Sequence, residues 1–185
     1  MPIVIRIAEA GDVGRIASMQ FRSENEVEFV DMPHNIRTLI SLSVIGLESV
    51  WAERVCADDF KAIIAIDDDS SFVCGVIGLS VHKGIGYIRS LYIDPGYLRL
   101  GIGTALMKAG LNYLLKEGCT IFRLEVLQNN VPAMMLYRKF NFKFKRFFFP
   151  EELGGTAQAL FPNNEYRVRQ MQTNLADLRM PESSD

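Results

Sequence analysis

The sequence has little that would indicate a secreted, membrane-spanning or nucleic-acid-binding protein. Only three of its 185 residues are cysteine. Cys56, Cys74 and Cys119 are too widely spaced for a zinc site, so we expect reduced thiols in a cytoplasmic protein and no metal. No apolar run reaches the roughly 18 residues that a membrane-spanning helix needs, and the amino terminus lacks the pattern of a signal peptide. With a net charge of −2 and no long basic run, we expect neither a nucleic-acid nor a membrane partner.

What is present is the composition of an ordinary folded domain. Hydrophobic residues make up 49% of the chain and charged residues 23%, which is enough apolar material for a sizeable core. No internal repeat or linker divides the sequence. We therefore expect one domain over residues 3–172 and a polar, flexible tail over residues 173–185.

The hydrophobic pattern predicts a mixed α/β domain in the order β, α, α, β, β, β, α, β, α, β, β. Asp12 is expected to cap the first helix, and Pro33 to open the second. The later helices are expected to begin near Gly101 and near Pro132. The segments with strand-like alternation are IVIRIAE, FKAIIAI, FVCGVIGLSVHK, GYIRSLYID, TIFRLEVL, NFKFKRFFF and EYRVRQM.

The stretch DPGYLRLGIGTALM, residues 94–107, joins a predicted strand to a predicted helix. Gly101 and Gly103 leave backbone N–H groups accessible where the helix begins, and such a helix start attracts anions. A dinucleotide fingerprint does not fit, since Leu106 occupies the place of its third glycine, and the Gly-Lys-Ser/Thr of a P-loop is missing. The stretch alone leaves two interpretations open, a phosphate cradle or a tight strand-to-helix connection.

A second stretch, LEVLQNNVPAMMLYRKFNF over residues 124–142, decides between them. Together, the two stretches resemble the GNAT superfamily of acyl-CoA-dependent N-acetyltransferases. The second family motif is matched by Leu124, Glu125, Val126, Asn130, Ala133, Leu136, Tyr137, Lys139 and Phe142. Two positions depart from the family pattern: Leu98, followed by Arg99, stands where the family has Gln or Arg, and Asn141 replaces a glycine. Asparagine tolerates the left-handed conformation that this turn requires.

The resemblance implies the GNAT fold, a central mixed, largely antiparallel twisted sheet of about seven strands flanked by about four helices. It also implies acetyl-CoA as co-substrate, without a metal. The pantetheine arm would pair with backbone between two diverging strands, and the N–H groups of the glycine stretch would hold the pyrophosphate. The residues implied in cofactor binding are Leu91, Tyr92, Ile93, Leu98, Arg99, Leu100, Gly101, Ile102, Gly103, Thr104, Asn130 and Tyr137.

The expected reaction is direct attack of a primary amine on the acetyl thioester. A protonated amine does not attack, so a proton acceptor is needed. Glu125 is the candidate base, with Arg123 on the same face of its strand. Backbone N–H groups near Leu91 to Ile93 are candidates for stabilising the oxyanion, and Tyr137 for protonating the leaving thiolate. Structural alternatives remain open, with Tyr137 as a core residue and Glu125 as a paired structural carboxylate.

The acceptor is a primary amine, and a protein or peptide amine is favoured over a small molecule such as a polyamine or aminoglycoside. Glu24, Glu26, Glu28 and Asp31 cluster between the first two helices and would attract a cationic acceptor. Three alternatives stay open: a small-molecule acetyltransferase, a catalytically silent acyl-CoA-binding module, and a nucleotide-binding α/β protein. Pairing of two copies through the strand around residues 147–149 is a further hypothesis.

Overall fold

The computed structural model describes residues 2–28, 43–148 and 168–181. Within these ranges the chain forms seven strands and four α-helices in the order that the sequence predicts. The strands are β1 (Ile3–Ile7), β2 (Phe60–Asp67), β3 (Phe72–His82), β4 (Ile85–Ile93), β5 (Ile121–Leu127), β6 (Lys143–Phe148) and β7 (Val168–Asn174). The helices are α1 (Val13–Ser23), α2 (Val44–Cys56), α3 (Ile102–Lys116) and α4 (Val131–Lys139).

The strands form one sheet in the order β1-β2-β3-β4-β5-β7-β6. Neighbouring strands are antiparallel except β4 and β5, which run parallel. A parallel pair needs a crossover connection, and α3 supplies it. The predicted mixed, largely antiparallel sheet is confirmed.

Each face of the sheet packs against two helices. Leu106 and Leu111 of α3 and Phe140 after α4 belong to one buried cluster, which we call the α3–α4 face. Ile16 of α1 and Trp51 of α2 belong to the other, which we call the α1–α2 face. Because successive side chains of a strand point to opposite faces, β2 and β3 each contribute to both clusters.

Asp12 lies at the start of α1, as predicted, but its carboxylate binds elsewhere. It accepts hydrogen bonds from the Glu9 N–H (2.8 Å), from Arg6 (2.7 and 2.9 Å) and from Arg15. Burial opposes ionisation of this carboxyl group, yet the bonds from Arg6 and Glu9 lower its pKa below the usual range. Asp12 therefore links α1 to β1 rather than capping the helix through its side chain.

Replacing Asp12 with asparagine is expected to lower the free energy of unfolding by about 2 kcal/mol at neutral pH. The side chains of Arg6 and Arg15 are 35% and 45% exposed, so solvent screening holds the loss to this size. Since the folded pKa of Asp12 is lowered, its contribution is full above about pH 4 and disappears as the pH falls through that pKa. Urea denaturation at neutral and acidic pH measures both effects. The exposed Asp58→Asn variant is the control, and an equal loss there would contradict the assignment.

The structure shows where α2 begins and where β7 ends. α2 begins at Val44, where the Ser43 hydroxyl accepts a hydrogen bond from the Gly46 N–H (3.2 Å); the predicted start at Pro33 lies outside the described residues. The flexible tail does not begin at residue 173, because β7 stays paired with β5 as far as Asn174. The Leu175 N–H then donates to the carbonyl of Thr120 (2.8 Å). The predicted boundary at residue 172 therefore lies inside β7.

No helix within the described ranges is long and apolar enough to cross a membrane. The same residues contain no group of three or more His, Cys, Asp or Glu side chains that could hold a metal ion. All three cysteines are free, and Cys74 and Cys119 are buried. Burial raises the pKa of the Cys74 thiol to about 11, so this thiol stays protonated at neutral pH.

Candidate functional site

The sheet opens between β4 and β5. Parallel pairing of these strands ends where Ile88 lies opposite Leu124. Beyond that point β4 continues in pairing with β3, and β5 continues in pairing with β7. The register between β3 and β4 shifts next to Gly78 and leaves Arg89 as an extra residue in β4. A bulge of this kind bends a strand and increases its twist, which accounts for the separation that we call the β4–β5 gap.

The backbone of β4 presents hydrogen-bonding groups to this gap. The Asp94 N–H donates to the Cys74 carbonyl of β3 (2.9 Å). Because these groups alternate in direction along a strand, the backbone of Tyr92 also points to β3, whereas that of Leu91 and Ile93 points into the gap. Within the strand segment predicted to pair with a pantetheine arm, Leu91 and Ile93 are therefore the residues whose backbone faces the gap, and the pairing stays a prediction.

The loop after β4 has the geometry of an anion cradle. Arg99 and Gly101 both adopt left-handed backbone conformations, with φ values of 62° and 78°. Leu98, Arg99, Leu100 and Gly101 are all exposed. The first intrahelical bond at this end of α3 runs from the Ala105 N–H to the Gly101 carbonyl (3.0 Å). The N–H groups of the three preceding residues come before that bond and remain available to an anion.

The two glycines of this loop have different roles. A Cβ on Gly101 would meet nothing within 4 Å. Glycine is therefore favoured at this position because of the positive φ and not because space is limited. A Cβ on Gly103 would lie 3.1 Å from Leu136 Cδ2 of α4. Gly103 therefore allows the start of α3 to pack closely on α4. Gly103 thus has a packing role between helices, and pyrophosphate binding at this loop stays a prediction.

An ion pair that sequence reasoning missed fixes the turn before this loop. Arg22 at the end of α1 donates to Asp94 Oδ2 from Nε (2.9 Å) and from Nη2 (2.7 Å). Asp94 also accepts from the Gly96 N–H (3.0 Å). Nothing in the sequence indicates this pair, because the two residues are 72 positions apart.

Stacked rings support the same turn from the other side. Tyr97 stacks on Phe72, with centroids 5.6 Å apart, and its hydroxyl donates to Asp67 Oδ2 (2.8 Å). The guanidinium of Arg22 lies 5.0 Å from the centroid of the Phe72 ring. The start of the cradle is therefore held to the ends of both β2 and β3.

The polar residues at the two ends of α4 order the helix. The Asn130 side chain accepts a hydrogen bond from the Ala133 N–H (3.1 Å) and so caps α4. At the other end, Asn141 adopts a left-handed φ of 62°, as the departure from glycine required. The N–H groups of Asn141 and Phe142 donate to the carbonyls of Arg138 and Tyr137, which is the Schellman arrangement. For Asn130 this geometry supports the loop-ordering role, and its contact with a cofactor stays a prediction.

Tyr137 is a buried residue of the α3–α4 face. Only 6% of it is exposed, and its ring lies 6.3 Å from that of Phe142. The core role that helical periodicity indicates is therefore present. A second role as proton donor stays a prediction.

Glu125 is exposed and lies on the α1–α2 face, opposite Gln170 of β7. It is the first residue of β5 after the pairing with β4 ends, which puts it beside the β4–β5 gap. Arg123 shares its face but donates through Nε to Gln172 (2.9 Å). The apolar surroundings expected of a carboxyl base are absent here.

A buried carboxyl group is found instead at Glu24, which sequence reasoning treated only as part of an acidic cluster. Glu24 is 6% exposed and accepts hydrogen bonds from Gln20 and from the Tyr92 hydroxyl. Gln20 in turn accepts from the Trp51 indole N–H (2.6 Å). Burial raises the pKa of Glu24, although both hydrogen bonds oppose the change. The bond to Tyr92 places this carboxyl group beside β4, on the same sheet face as Glu125.

The other acidic residues of that cluster are only partly described. Glu26 is exposed, whereas the side chain of Glu28 and all of Asp31 lie outside the described structure. Because Glu24 is buried and Glu26 is exposed, the described members of this cluster have different surroundings, and attraction of a cationic acceptor stays a prediction.

These features suit a ligand with a long amide-bearing arm and a pyrophosphate. The arm would pair with the backbone groups that face the gap, and the pyrophosphate would bind at the left-handed loop. The chain matches the model of the Acetyltransferase (GNAT) family over residues 33–142, a range that includes both strands of the gap, the loop and α4.

Two relatives show the extent of the similarity. Over 100 residues the chain is 30% identical to an uncharacterized N-acetyltransferase of Methanocaldococcus jannaschii, with 46% of this chain and 44% of that protein covered. Over 145 residues it is 30% identical to N-alpha-acetyltransferase 30 of Mus musculus, with 74% of this chain and 37% of that protein covered. The chain thus spans less than half the length of either relative.

A solved structure shows the same fold. PaiA N-acetyltransferase of Thermoplasma acidophilum, in complex with coenzyme A, matches with a TM-score of 0.71 at 19% identity. The match covers 94% of this chain and 99% of that one. The match to the family model spans the gap, the loop and α4, and the fold agrees from β1 to β7. The chain therefore belongs to the Acetyltransferase (GNAT) family.

Proposed function

We propose that this protein transfers the acetyl group of acetyl-CoA to the amino terminus of a protein or peptide. The observation that carries the transfer is the β4–β5 gap leading directly to the left-handed loop at Arg99 and Gly101. The preference for a protein acceptor is supported by the alignment with N-alpha-acetyltransferase 30, which covers 74% of this chain.

For cofactor binding, we propose that the backbone of Leu91 and Ile93 pairs with the pantetheine arm. The N–H groups from Leu98 to Thr104 hold the pyrophosphate. The Arg99 side chain is exposed at this loop and supplies the positive charge that the family places at position 98. When bound, acetyl-CoA supplies the activated acyl group.

For the proton acceptor, we propose Glu24, with Glu125 as the rival. An amine loses its proton most readily to a carboxylate whose pKa has moved toward neutrality. Burial moves the pKa of Glu24 in that direction, and the bond with Tyr92 directs it toward β4. Glu125 is closer to the opening of the gap in register, but it is exposed to solvent.

The remaining steps use residues at the gap itself. One backbone N–H among residues 91–93, left unpaired by the pantetheine arm, stabilises the negative charge that develops on the acyl oxygen. Tyr137 gives a proton to the departing thiolate. Because a thiolate leaves readily, we expect Tyr137 to matter less than the base.

An acceptor panel tests the proposed function. Purified protein is given acetyl-CoA with peptides that have a free amino terminus, the same peptides with a blocked amino terminus and an internal lysine, spermidine, and an aminoglycoside, and thiol release is measured. We expect turnover with the free amino termini and not with the blocked peptides. Turnover confined to spermidine or the aminoglycoside would identify a small-molecule enzyme. Coenzyme A binding without turnover on any acceptor would favour a silent binding module.

Two further predictions concern the cellular location and the oligomeric state of the protein. We propose a cytoplasmic location, which the three free cysteines support because reduced thiols are typical of that compartment. Pairing of two copies through residues 147–149 stays a prediction, and Phe149 lies outside the described residues.

A further inference from the structure

A cavity of about 330 Å³ lies between α4 and the β6–β7 pair, separate from the β4–β5 gap. Its lining residues are Met134, Arg138, Asn141, Phe142, Lys143, Phe144, Arg169 and Met171. Leu136 of α4 faces α3 at Gly103. Met134 and Arg138 are each two residues from Leu136, a rotation of about 200° around the helix axis, so they lie on the opposite side of α4. The cavity is therefore on the side of α4 that faces away from α3 and from the left-handed loop at Arg99 and Gly101.

The lining is cationic. Arg138, Lys143 and Arg169 come from α4, β6 and β7 respectively, and none of the eight lining residues that the structure describes is acidic. Like charges that converge from three elements repel one another unless an anion lies between them. The charge of the cavity therefore suits an anionic ligand.

Arg169 is held in place for such a ligand. Arg169 lies opposite Val126 of β5, so its side chain points to the α3–α4 face. Its guanidinium lies 5.8 Å from the ring centroid of Phe144 and 5.3 Å from that of Phe147. Its Nε is buried and has no hydrogen-bond partner among the described residues. A buried donor without a partner is unfavourable. The two rings hold the guanidinium in place, and Arg169 also lines the cavity.

The rest of the described lining is apolar except for Asn141, whose side-chain amide donates to the Asp177 carbonyl (2.7 Å). Met134, Phe142 and Met171 are each less than a tenth exposed, and the exposed Phe144 borders them. A hydrated inorganic anion would leave this surface without a partner. A ligand with a carbon chain would cover it, and the flexible methionines adapt to different chain shapes.

We propose that this cavity binds a small organic carboxylate with a short apolar chain. The carboxylate pairs with the planar guanidinium of Arg169, whose fork matches its two oxygens, and with the ammonium of Lys143. The chain lies against Met134 and Met171. The volume is at the small end of the range for ligand pockets, roughly 300–1,000 Å³. This binding is independent of the acetyl transfer proposed above.

Three probes separate the contributions of charge and chain. Hexanoate, hexan-1-ol and acetate are titrated into the full chain, and binding is followed by amide chemical shifts in NMR spectra. We expect hexanoate to shift the amides of the lining residues, with hexan-1-ol and acetate binding at least about tenfold more weakly. If hexan-1-ol binds as tightly as hexanoate, the cavity recognises the apolar chain alone and the proposed carboxylate site is wrong. Absence of hexanoate binding would also overturn the proposal.

Two substitutions complete the test. Arg169→Met keeps apolar bulk and should weaken hexanoate binding at least about tenfold. Lys145 lies in the same strand as Lys143, but its ammonium donates to Gln172 (2.7 Å) and it does not line the cavity. Lys145→Met should therefore leave hexanoate binding unchanged. The exposed Lys143→Met serves as a second variant if Arg169→Met fails to fold, and it too should weaken binding. Unchanged affinity in Lys143→Met and in a folded Arg169→Met would contradict the assignment.

Discussion

Replacing Gly101 with valine is expected to weaken coenzyme A binding at least about tenfold. The residue has a φ of 78°, a conformation that is costly for any residue with a Cβ and most costly for a β-branched one. Space is not the obstacle, because a Cβ there would meet nothing within 4 Å. The valine chain is therefore expected to leave the left-handed conformation and turn the N–H groups of the loop away from the pyrophosphate. Isothermal titration with coenzyme A measures the loss.

A matched glycine distinguishes loss of the site from loss of stability. Gly118, after the far end of α3, has a φ of 76° and the same open surroundings. Gly118→Val should therefore carry a similar conformational cost but leave coenzyme A affinity unchanged. If Gly101→Val binds coenzyme A as tightly as Gly118→Val does, the loop is not the pyrophosphate site.

Replacing Glu24 with glutamine is expected to lower kcat about a hundredfold while coenzyme A affinity stays nearly unchanged. The glutamine keeps the size of the side chain but cannot accept a proton from the amine. Initial rates of thiol release at saturating acetyl-CoA, together with titration of coenzyme A, measure the two quantities separately.

Three comparison variants make this result specific. Glu26→Gln changes an exposed carboxylate in the same turn and should have no effect. Tyr137→Phe should lower kcat toward the small end of the range for acid–base catalysis. If Glu125→Gln abolishes turnover and Glu24→Gln does not, the base is Glu125, as the sequence indicates. Large losses of coenzyme A affinity in all of these variants would mean that the residues are structural.

Stability should change in the opposite direction to activity at Glu24. Its folded pKa is raised by burial, so its favourable contribution is full below the pKa of the unfolded chain and is lost as the pH rises through the folded pKa. Above that pH the buried carboxylate is charged and costs stability. We therefore expect Glu24→Gln to be more resistant to urea than the natural chain at neutral pH, with the difference vanishing in acid.

The features that the sequence predicted well are local ones. The alternation of Phe122, Leu124 and Val126 with Arg123 and Glu125 correctly assigns the two faces of β5, since side-chain direction follows from the two-residue period of a strand. The left-handed turn at Asn141 was likewise expected from residue type. Each of these depends on neighbours within a few positions along the chain.

The features that the sequence missed depend on contacts between distant segments. Arg22 and Asp94 form an ion pair across 72 positions, and no local pattern distinguishes that arginine from a solvated one. The bulge at Arg89, which opens the gap, arises where the register between β3 and β4 shifts. Register is a property of two strands together, so neither strand alone reveals it.

The sequence by itself determined the family, the order of the elements and the place of the glycine loop, because its motifs are short and their spacing follows helix and strand periods. Only the tertiary structure decided which of the two carboxylates is buried. Glu24 is 6% exposed and accepts hydrogen bonds from Gln20 of α1 and Tyr92 of β4, whereas Glu125 is exposed. Burial of that kind exists only once the helices have packed on the sheet.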